Sequence, residues 1–409
     1  MDHDLQVSII KELLRQLDEG KNNDAGVQYR MPTSSYVCPD LAAKEWTTLF
    51  RQHPQMVGLS GDLPEPGSFF TIDDFGVSVL ATRDKQGQFH AFVNACRHRG
   101  ARVANEATGK KSSFVCPFHS WTYTCKGELV GVPQMDHFGE IDKSAYGLLA
   151  LPAVERDGML WVHPQPDSKL DIDELLGPLV EELAGHKLGD LKSTAKKTIE
   201  MDLNWKLAND TFGETYHFAK LHKNTLGQVY YGNNLDYQEF GRHHRFVTAN
   251  KSIDVLRDRP ESEWELQNVA FVLYYLFPNI QLVVTRGLVN IVRIYPDEKN
   301  PGRSISRITS YFTQQALDMI EVTDEEFIIT PDKVYQRRKS EDLFTPESSL
   351  EVFSSTIEQE DYLMGEHQQR TAKSGLITHS ILGRNEAPLH HFHNSFRDAL
   401  DMPPLERVE

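Results

Sequence analysis

The chain has 409 residues, of which 39% are hydrophobic and 25% are charged, and its formal net charge is −16 at pH 7. These fractions are ordinary for a globular protein of two or three domains, and the acidic balance argues against nucleic-acid binding, which normally leaves a basic surface. Four cysteines are too few for a disulfide framework in a chain of this length.

The sequence carries no sign of export or of membrane insertion. Residues 1–4 are acidic and lack the basic and apolar stretches of a signal peptide. The longest apolar run, 269–277, is far short of the roughly 20 residues that span a bilayer. We therefore expect a soluble, cytoplasmic protein without membrane or nucleic-acid partners, in which Cys38 and Cys125 are free thiols.

The first 165 residues divide into a helical start and a β-rich segment. Apolar residues at i, i+3, i+4 and i+7 predict a helix over 5–18. Residues 30–45, which contain two prolines, are predicted to form a loop. Strand-like runs separated by turn residues then indicate a small β domain. The predicted strands are 68–72, 77–82, 90–94, 113–116, 121–124 and 158–163.

Two short motifs lie on loops of this β domain. Cys96 and His98 form a Cys-x-His motif, and Cys116 and His119 form a Cys-x-x-His motif. Zinc fingers place two cysteines before two histidines, whereas each motif here combines one thiolate with one imidazole. This pattern favours a [2Fe–2S] cluster of Rieske type, with Cys on one iron and His on the other. A structural zinc site, or four unrelated core residues, is the alternative.

The pattern beyond residue 166 is typical of an α+β domain. A twisted antiparallel sheet with helices over one face fits the order of these elements, and such a fold leaves a ligand cavity between sheet and helix. The predicted helices are 171–187, 203–221, 314–340, 347–372 and 388–401, and the predicted strands are 196–203, 269–277, 280–296 and 303–313.

Segment 204–222 holds two histidines and two carboxylates. Two His and one carboxylate form the facial triad of non-haem Fe(II) oxygenases. Glu214 and His217 are three residues apart and share one helix face, whereas His217 and His222 lie about 140° apart on an ideal helix. We therefore predict that the helix ends or bulges between Phe218 and His222. A surface helix with polar residues is the alternative.

A third ligand is expected from the helix that begins near residue 350. Asp361 lies on the apolar 3-4 stripe of this helix, where a core residue is expected. A buried carboxylate is costly unless it is paired or bound to a metal. Asp361 is therefore a better candidate than Glu358, Glu360 and Glu366, which lie off the stripe. An Asp paired with Arg or with helix dipoles is the alternative.

Together these motifs resemble the α subunits of Rieske non-haem iron oxygenases, the ring-hydroxylating dioxygenases with their monooxygenase and demethylase relatives. The resemblance spans almost the whole chain and implies an α+β fold. It implies an N-terminal helical segment over 1–45 that packs on the catalytic domain, and a Rieske [2Fe–2S] domain over 46–165. Residues 166–409 would form a helix-grip (START-like) catalytic domain with a twisted antiparallel sheet.

The resemblance also implies roles for particular residues. His217, His222 and Asp361 match the ligands of a mononuclear Fe(II). Glu214 matches the carboxylate that links a ligand His to a cluster His of a neighbouring subunit, and by position these partners are His217 and His119. Such chains usually form head-to-tail homotrimers or multiples of trimers, because the two centres of one chain are too far apart.

The implied activity is that of a terminal oxygenase. A partner reductase of flavin or ferredoxin type would supply electrons from NAD(P)H. With O₂ the enzyme would hydroxylate, dihydroxylate or oxidatively demethylate a small organic substrate, with aromatic acids and quaternary or methylated amines as the expected classes. Two other classes of protein are a Rieske-type electron carrier and a ligand-binding helix-grip protein whose metal sites are not catalytic.

Three weaker patterns concern histidine and arginine. The histidines at 390, 391 and 393 are expected to face solvent on a packed helix. The Arg-His-His-Arg run at 242–245 is expected to be a solvated turn. Arg286 lies in the predicted strand 280–296, where it would point either inward, towards a carboxylate, or outward.

Overall fold

Antiparallel sheets form the framework of the protein, which a computed structural model describes for residues 1–322, 328–329, 335–336 and 345–408. The chain divides into two units. The larger unit comprises Met1–Glu45, Leu176–His186 and Ser193–Glu409, and the smaller unit comprises Trp46–Leu175 and Lys187–Lys192. The smaller unit is thus inserted into the sequence of the larger one.

The helices are short except at the two ends of the larger unit. Within the described residues the α-helices are α1 (His3–Glu19), α2 (Pro39–Glu45), α3 (Met135–Phe138), α4 (Ile172–Leu176), α5 (Leu179–Ala184), α6 (Trp205–Asp210), α7 (Leu226–Val229), α8 (Gln314–Val322), α9 (Pro346–Thr356), α10 (Tyr362–Ser374) and α11 (Ala387–Ala399). Two π-helical turns are Trp46–Arg51 and Ile357–Asp361. The second of them joins α9 to α10.

The strands are distributed over both units. They are β1 (Gln28–Pro32), β2 (Gln55–Leu59), β3 (Ser68–Ile72), β4 (Val79–Arg83), β5 (Phe89–Val93), β6 (Thr108–Lys110), β7 (Ser113–Val115), β8 (Thr122–Thr124), β9 (Leu129–Gly131), β10 (Ala150–Leu151), β11 (Ala153–Arg156), β12 (Met159–Val162), β13 (Lys192–Met201), β14 (Asp236–Phe240), β15 (His243–Ala249), β16 (Ala270–Leu276), β17 (Ile280–Thr285), β18 (Leu288–Pro296), β19 (Ser304–Phe312), β20 (Ile328–Ile329), β21 (Tyr335–Gln336), β22 (His379–Leu382) and β23 (Glu406–Val408).

The smaller unit is built from three small sheets. A five-stranded sheet has the order β10-β5-β4-β3-β6, and two three-stranded sheets have the orders β11-β12-β2 and β7-β8-β9. Each of the six predicted strands in this segment is present, with slightly different ends. A single apolar core contains Cys96 and Cys116 together with Phe114, Trp121 and Tyr123. The core therefore reaches directly to the two Cys/His loops.

The larger unit is organised by a seven-stranded antiparallel sheet of order β13-β19-β18-β17-β16-β15-β14. Its apolar strands β16 and β17 are almost entirely buried, as expected for the centre of a covered sheet. Helix α6 packs against β18 and β19, α9 packs against β19, and α11 packs against β14 and β15. The predicted α+β class, with an antiparallel sheet and helices upon it, is confirmed.

The predicted loop over 30–45 is wrong. Strand β1 pairs with both β22 and β23, and α2 begins at Pro39. Both prolines occupy permitted positions, since Pro32 is the last residue of a strand and Pro39 is the first of a helix, where no intrahelical N–H bond is lost. The prolines thus mark the ends of elements and do not exclude them.

Three other elements differ from prediction. The strand over 280–296 is the hairpin of β17 and β18, and exposed Arg286 lies in its turn beside Gly287 (φ 72°). The helix over 171–187 is two helices separated at Gly177. For the helix predicted over 314–340, the structure describes helix α8 up to Val322, and β20 pairs with β21 further along. The other residues of that last prediction lie outside the described part of the chain.

No helix in the described part of the chain is long and apolar enough to cross a membrane. Cys38 and Cys125 are free thiols, as predicted.

Candidate metal centres

The first candidate centre lies between the two Cys/His loops of the smaller unit. Cys96 and Cys116 are both buried, and their side chains contact each other, so that burial and this neighbouring thiol raise the pKa of Cys96. The rings of His98 and His119 are 4.6 Å apart between centroids. The structure therefore brings the two sulfurs together on the inside and the two imidazoles together nearer the surface.

The two loops have matching backbone hydrogen bonds. In each loop the cysteine N–H donates to the carbonyl five residues ahead, and the residue four ahead donates back to the cysteine carbonyl. These bonds are Cys96 N to Ala101 O (2.8 Å), Gly100 N to Cys96 O (2.8 Å), Cys116 N to Trp121 O (2.8 Å) and Ser120 N to Cys116 O (2.9 Å). Gly100 and Ser120 have positive φ of 76° and 58°. The sequence thus folds two different motifs into the same turn.

Tyr123 is a contact of this centre that the sequence analysis missed. Its hydroxyl lies 3.2 Å from Cys96 Sγ and accepts a hydrogen bond of 3.0 Å from the N–H of Arg97. Burial raises the pKa of Tyr123, so its hydroxyl stays protonated. The available signal was position, since Trp121 and Tyr123 alternate inwards next to the second motif.

The imidazole side of this centre is accessible. His98 stacks on Trp121 with centroids 5.1 Å apart and ring planes 11° apart. His119 is exposed. The pKa of its imidazole is lowered by partial desolvation from neighbouring groups and by the charge of Arg99. Two buried thiols facing two imidazoles match the donor set of a Rieske [2Fe–2S] cluster. The residues present therefore fit such a cluster.

The second candidate centre lies in the larger unit and consists of His217, His222 and Asp361, whose possible ligand atoms all lie within 4.8 Å of one another. The two Nε2 atoms are 3.1 Å apart. Asp361 Oδ1 lies 3.4 Å from His217 Nε2 and 3.1 Å from His222 Nε2. Three donors at about 2.1 Å from one ion and at right angles would be roughly 3.0 Å apart. The triangle fits a two-His, one-carboxylate site.

The α-helix that precedes the two histidines ends earlier in the sequence than predicted. Helix α6 ends at Asp210, and Tyr216–Ala219 forms a separate 3₁₀ turn. The predicted helix that continues to Phe218 is therefore wrong. Gly213 lies in the break between the two elements, and a Cβ atom at this position would lie 2.1 Å from the side-chain Cδ2 of Leu389, so a larger residue would require this side chain to move.

Glu214 contacts His217 although no α-helix joins them. One carboxylate oxygen accepts from His217 Nδ1, and the other accepts from the backbone N–H of His217 at 3.1 Å. The predicted proximity of this pair is thus produced by the 3₁₀ turn that begins at Tyr216. Glu214 holds the ring of His217 from the side opposite Asp361.

The carboxylate of the triad, Asp361, comes from the π-helical turn. Asp361 is 7% exposed and lies in the turn Ile357–Asp361. The preceding residue, Glu360, also reaches the centre, and its Oε2 accepts from His222 Nδ1 at 2.8 Å. Sequence reasoning ranked Glu360 below Asp361 as a ligand, and Asp361 is the carboxylate that joins the two histidines. The contact between Glu360 and His222 was not foreseen, because it lies next to an i→i+5 turn, where the regular helical period does not apply.

The two other carboxylates that were considered as ligands face elsewhere. Glu358 lies 3.6 Å from the Nζ of Lys197, and Glu366 accepts from the backbone N–H of Asp202 at 3.4 Å. Neither contact involves a histidine of the triad.

The carboxylates dominate the electrostatics of the triad. Burial alone would lower the pKa of His217, but Asp361 and Glu214 outweigh burial and raise the pKa to about 10. For His222, burial again opposes protonation, and Asp361 and Glu360 raise the pKa. Three carboxylates therefore surround two imidazoles, and a bound cation would neutralise this excess of negative charge.

An aromatic cluster borders the triad. The ring of Phe218 lies 5.1 Å from that of His217 and 5.4 Å from that of His222 between centroids. This cluster of hydrophobic residues has as its buried members Phe218, Leu235, Phe246, Phe271, Leu273 and Val283, with Phe212, Leu226, Tyr230, Tyr237 and Phe353 packed against them. We call this set the aromatic cluster.

Two of the three histidines of α11 are buried, contrary to prediction, and His391 is half-buried. His390 and His393 are buried. His393 Nε2 lies 2.9 Å from Asp210 Oδ1, and Tyr36 donates to the other oxygen of Asp210 at 2.8 Å. The partner carboxylate thus allows burial of polar groups that would otherwise need water.

The 242–245 run is likewise mostly buried, because residues 243–245 belong to β15. Arg245 donates to both oxygens of Glu182 at 2.9 Å and also pairs with Asp236 at 3.2 Å. This run is a structural ion-pair network and not the solvated turn that was predicted.

Known sequences and structures resemble this chain over nearly all of its length. A family profile described as "Ring hydroxylating alpha subunit (catalytic domain)" matches residues 188–402, and one described as "Rieske [2Fe-2S] domain" matches residues 53–151. The second profile covers the Cys/His loops, and the first covers the triad.

Among curated proteins, the glycine betaine monooxygenase oxygenase subunit of Chromohalobacter salexigens is 26% identical over 362 residues, which cover 83% of this chain and 79% of that protein. The chloroplastic choline monooxygenase of Beta vulgaris is 26% identical over 291 residues, covering 70% of this chain and 63% of that protein. Among solved structures, the quaternary ammonium Rieske monooxygenase CntA in complex with L-carnitine superposes with a TM-score of 0.70 at 20% identity, covering 92% of this chain and 96% of that one.

Proposed function

The chain belongs to the ring-hydroxylating α-subunit family of Rieske non-haem iron oxygenases, and from this premise we propose which residues serve each of its centres and what they act on. It is the terminal oxygenase component of such a system. We assign 46–165 to the Rieske domain, 166–409 to the catalytic domain and 1–45 to a helical segment on the catalytic domain. The observation that carries the assignment is the triangle of His217, His222 and Asp361 in a chain that also pairs two Cys/His loops.

Cys96 and Cys116 would hold one iron of a [2Fe–2S] cluster, and His98 and His119 the other. When bound, this cluster supplies single electrons at a potential set by its ligands and by hydrogen bonds to its sulfurs. Burial keeps water from the cysteine side, and Tyr123 supplies a donor to Cys96.

His217, His222 and Asp361 would hold the mononuclear Fe(II). When bound, this iron supplies the site at which O₂ is activated next to the substrate. Glu214 and Glu360 orient the two imidazoles through their Nδ1 atoms. Phe218 and its neighbours in the aromatic cluster exclude water from one side of the triad.

Electrons would pass between subunits, from His119 of one chain to Glu214 and His217 of its neighbour. His119 is exposed and packs against the exposed ring of Phe118, and the neighbouring His98 packs against the exposed ring of Phe138. Tyr216, which lies between Glu214 and His217 in sequence, is 64% exposed. Aromatic groups on such surfaces are typical of protein interfaces. A head-to-tail homotrimer would bring these surfaces together, and a reductase would deliver electrons from NAD(P)H.

The aromatic cluster bears on the substrate. Most of its members are aromatic, and Phe218 lies against both histidines of the triad. A quaternary or methylated ammonium group is attracted to the faces of aromatic rings. The relatives named above act, by their names, on glycine betaine, choline and carnitine. We therefore place quaternary or methylated amines first as substrates and aromatic acids second.

Iron analysis and one variant test this function. The wild-type protein is expected to hold about three irons per chain, two in the cluster and one in the triad. Asp361→Ala should lose the mononuclear iron and keep the visible absorbance of the cluster, while Glu358→Ala on the same helix should keep all of it. About two irons in the wild type would indicate an electron carrier, and none would refute both functions.

The substrate class requires a separate measurement. Substrate-dependent O₂ consumption with a surrogate reductase should be found with quaternary amines, and formaldehyde release would identify oxidative demethylation of a methylated amine. Turnover of benzoate-type acids alone would reverse the order of the two substrate classes.

A further inference from the structure

Two consecutive residues of one helix contact opposite edges of the same imidazole. Glu360 Oε2 lies 2.8 Å from His222 Nδ1, and Asp361 Oδ1 lies 3.1 Å from His222 Nε2. Side chains of consecutive residues in a regular α-helix diverge by about 100°. In this helix the π-helical turn Ile357–Asp361 interrupts the regular spacing. The ring of His222, which is 1% exposed, is therefore held between two carboxylates.

The contact with Glu360 determines which ring nitrogen carries the proton. A carboxylate accepts hydrogen bonds and does not donate them when ionised, so the proton must lie on Nδ1. In the neutral ring, Nε2 then presents its lone pair to Asp361 and His217. A metal ligand needs a free lone pair at the coordinating nitrogen, and a hydrogen bond from the other nitrogen selects this tautomer.

Glu360 is itself held in place by the turn that carries His222. Thr225 Oγ1 donates to Glu360 Oε2 at 3.1 Å, and the backbone N–H of Thr225 donates to the carbonyl of His222 at 2.9 Å. The carboxylate is therefore fixed by two groups of the same turn. A side chain present only for solubility would not be anchored to the residue it faces.

Each histidine of the triad thus has its own carboxylate on Nδ1, which is Glu214 for His217 and Glu360 for His222. We propose that Glu360 is a positioning residue that fixes the orientation and tautomer of His222 and thereby sets the metal affinity of the triad. The inference rests on the metal-binding role of the triad proposed above. Glu360 acts through His222 and touches neither substrate nor metal.

Metal affinity is the direct test, with Co²⁺ as the probe on protein whose mononuclear site has been emptied. Glu360→Ala should raise the dissociation constant for Co²⁺ by about 10- to 100-fold, the usual effect of removing such a partner. Glu360→Gln should recover most of this loss, because its side-chain oxygen still accepts from Nδ1 and selects the same tautomer. Thr225→Val should lie between the wild type and Glu360→Ala.

Glu358→Ala is the matched control, since Glu358 lies in the same helical turn and faces Lys197. Cluster absorbance and the unfolding midpoint establish that each variant is folded, and the visible spectrum of bound Co²⁺ should change in Glu360→Ala but not in Glu358→Ala. Equal Co²⁺ affinity in Glu360→Ala and Glu358→Ala would overturn the inference. So would a Glu360→Gln variant no better than Glu360→Ala, and a wild type that binds no Co²⁺ would overturn the triad itself.

Discussion

The hydroxyl of Tyr123 lies 3.2 Å from the Sγ of Cys96 and also accepts from the N–H of Arg97. The phenol proton is therefore free to point at the sulfur, since its oxygen is already occupied as an acceptor. A donor to a cluster ligand stabilises the reduced, more negative state and raises the reduction potential.

Tyr123→Phe should consequently lower the potential of the cluster. A net hydrogen-bond contribution of about 1 kcal/mol corresponds to roughly 40 mV for one electron. Redox titration of the visible absorbance measures the shift. Tyr146→Phe is the control, because Tyr146 lies edge-on to Trp121 in the same unit and is exposed. An unchanged potential in Tyr123→Phe would show that this hydroxyl does not tune the cluster.

Glu214→Ala should slow electron transfer between the centres, measured on protein whose cluster and triad have both been loaded with iron. The variant removes the acceptor that holds His217 Nδ1, and loss of such a partner typically costs about 10- to 100-fold in activity. Single-turnover reoxidation of the reduced cluster in the presence of O₂ and substrate measures the rate. Glu386→Gln is a suitable comparison, since this nearby carboxylate accepts from Gly383 N–H and not from the ring. Full turnover in Glu214→Ala would remove the bridging role.

Lys206→Met should be strongly destabilising. The ammonium of Lys206 and the carboxylate of Glu45 form a buried pair at 2.5 Å, and Trp205 Nε1 donates to the same carboxylate at 2.6 Å. Removing one member of a buried pair leaves the other charge uncompensated and costs about 3–5 kcal/mol.

The double variant Lys206→Met/Glu45→Gln should recover much of this loss, because the amide oxygen still accepts from Trp205 and no buried charge remains. Thermal or urea unfolding compares the variants. A single variant as stable as the wild type would mean that the pair is not desolvated in solution.

The free energy of unfolding should decrease as the pH is lowered, over a pH range set partly by His186. Burial, with further contributions from the N-terminal ammonium of Met1 and from Arg245, lowers the pKa of His186 to about 4. The ring of His186 contacts the hydroxyl of Tyr274 at 2.7 Å. An unfolded His titrates near 6.5. Between pH 6.5 and 4 the unfolded chain therefore binds a proton that the folded chain refuses, and stability decreases as pH falls.

His186→Gln should reduce this loss by up to roughly 3 kcal/mol between pH 7 and pH 4. The measurement is the unfolding midpoint at both pH values, referred to the wild type. Identical pH dependence in the two proteins would show that His186 takes no part in it.

The spacing of residues in the sequence was sufficient to predict candidate ligands that lie within one short segment or one helix. The Cys/His loops are short turns, so their pattern alone places the two ligand types side by side. His217 and His222 likewise belong to one segment, and Asp361 stood out as a charge on an apolar stripe. In each instance the information lay within a few residues of the chain.

The rest depended on partners that are remote in sequence or on irregular backbone. Lys206 is buried because Glu45 lies against it, Arg245 because of Glu182, and His393 because of Asp210. No periodicity connects such pairs, so these residues were expected at the surface or were not considered. Glu360 was missed for the second reason, since a period of 3.6 does not apply within the π-helical turn.

That turn lets the two halves of a long helix satisfy different neighbours. Helix α9 packs against β19 and α10 packs against α6, and Glu360 and Asp361 lie where the two halves meet. The wider π-helical turn changes the rotation of α10 relative to α9, so that each half can present its packing face to its own neighbour. Deleting one residue from Ile357–Asp361 would rotate one half by about 100° relative to the other. Only one half of the helix could then keep its packing contacts. The number of residues in this segment is therefore constrained even at positions whose side chains make no specific contact.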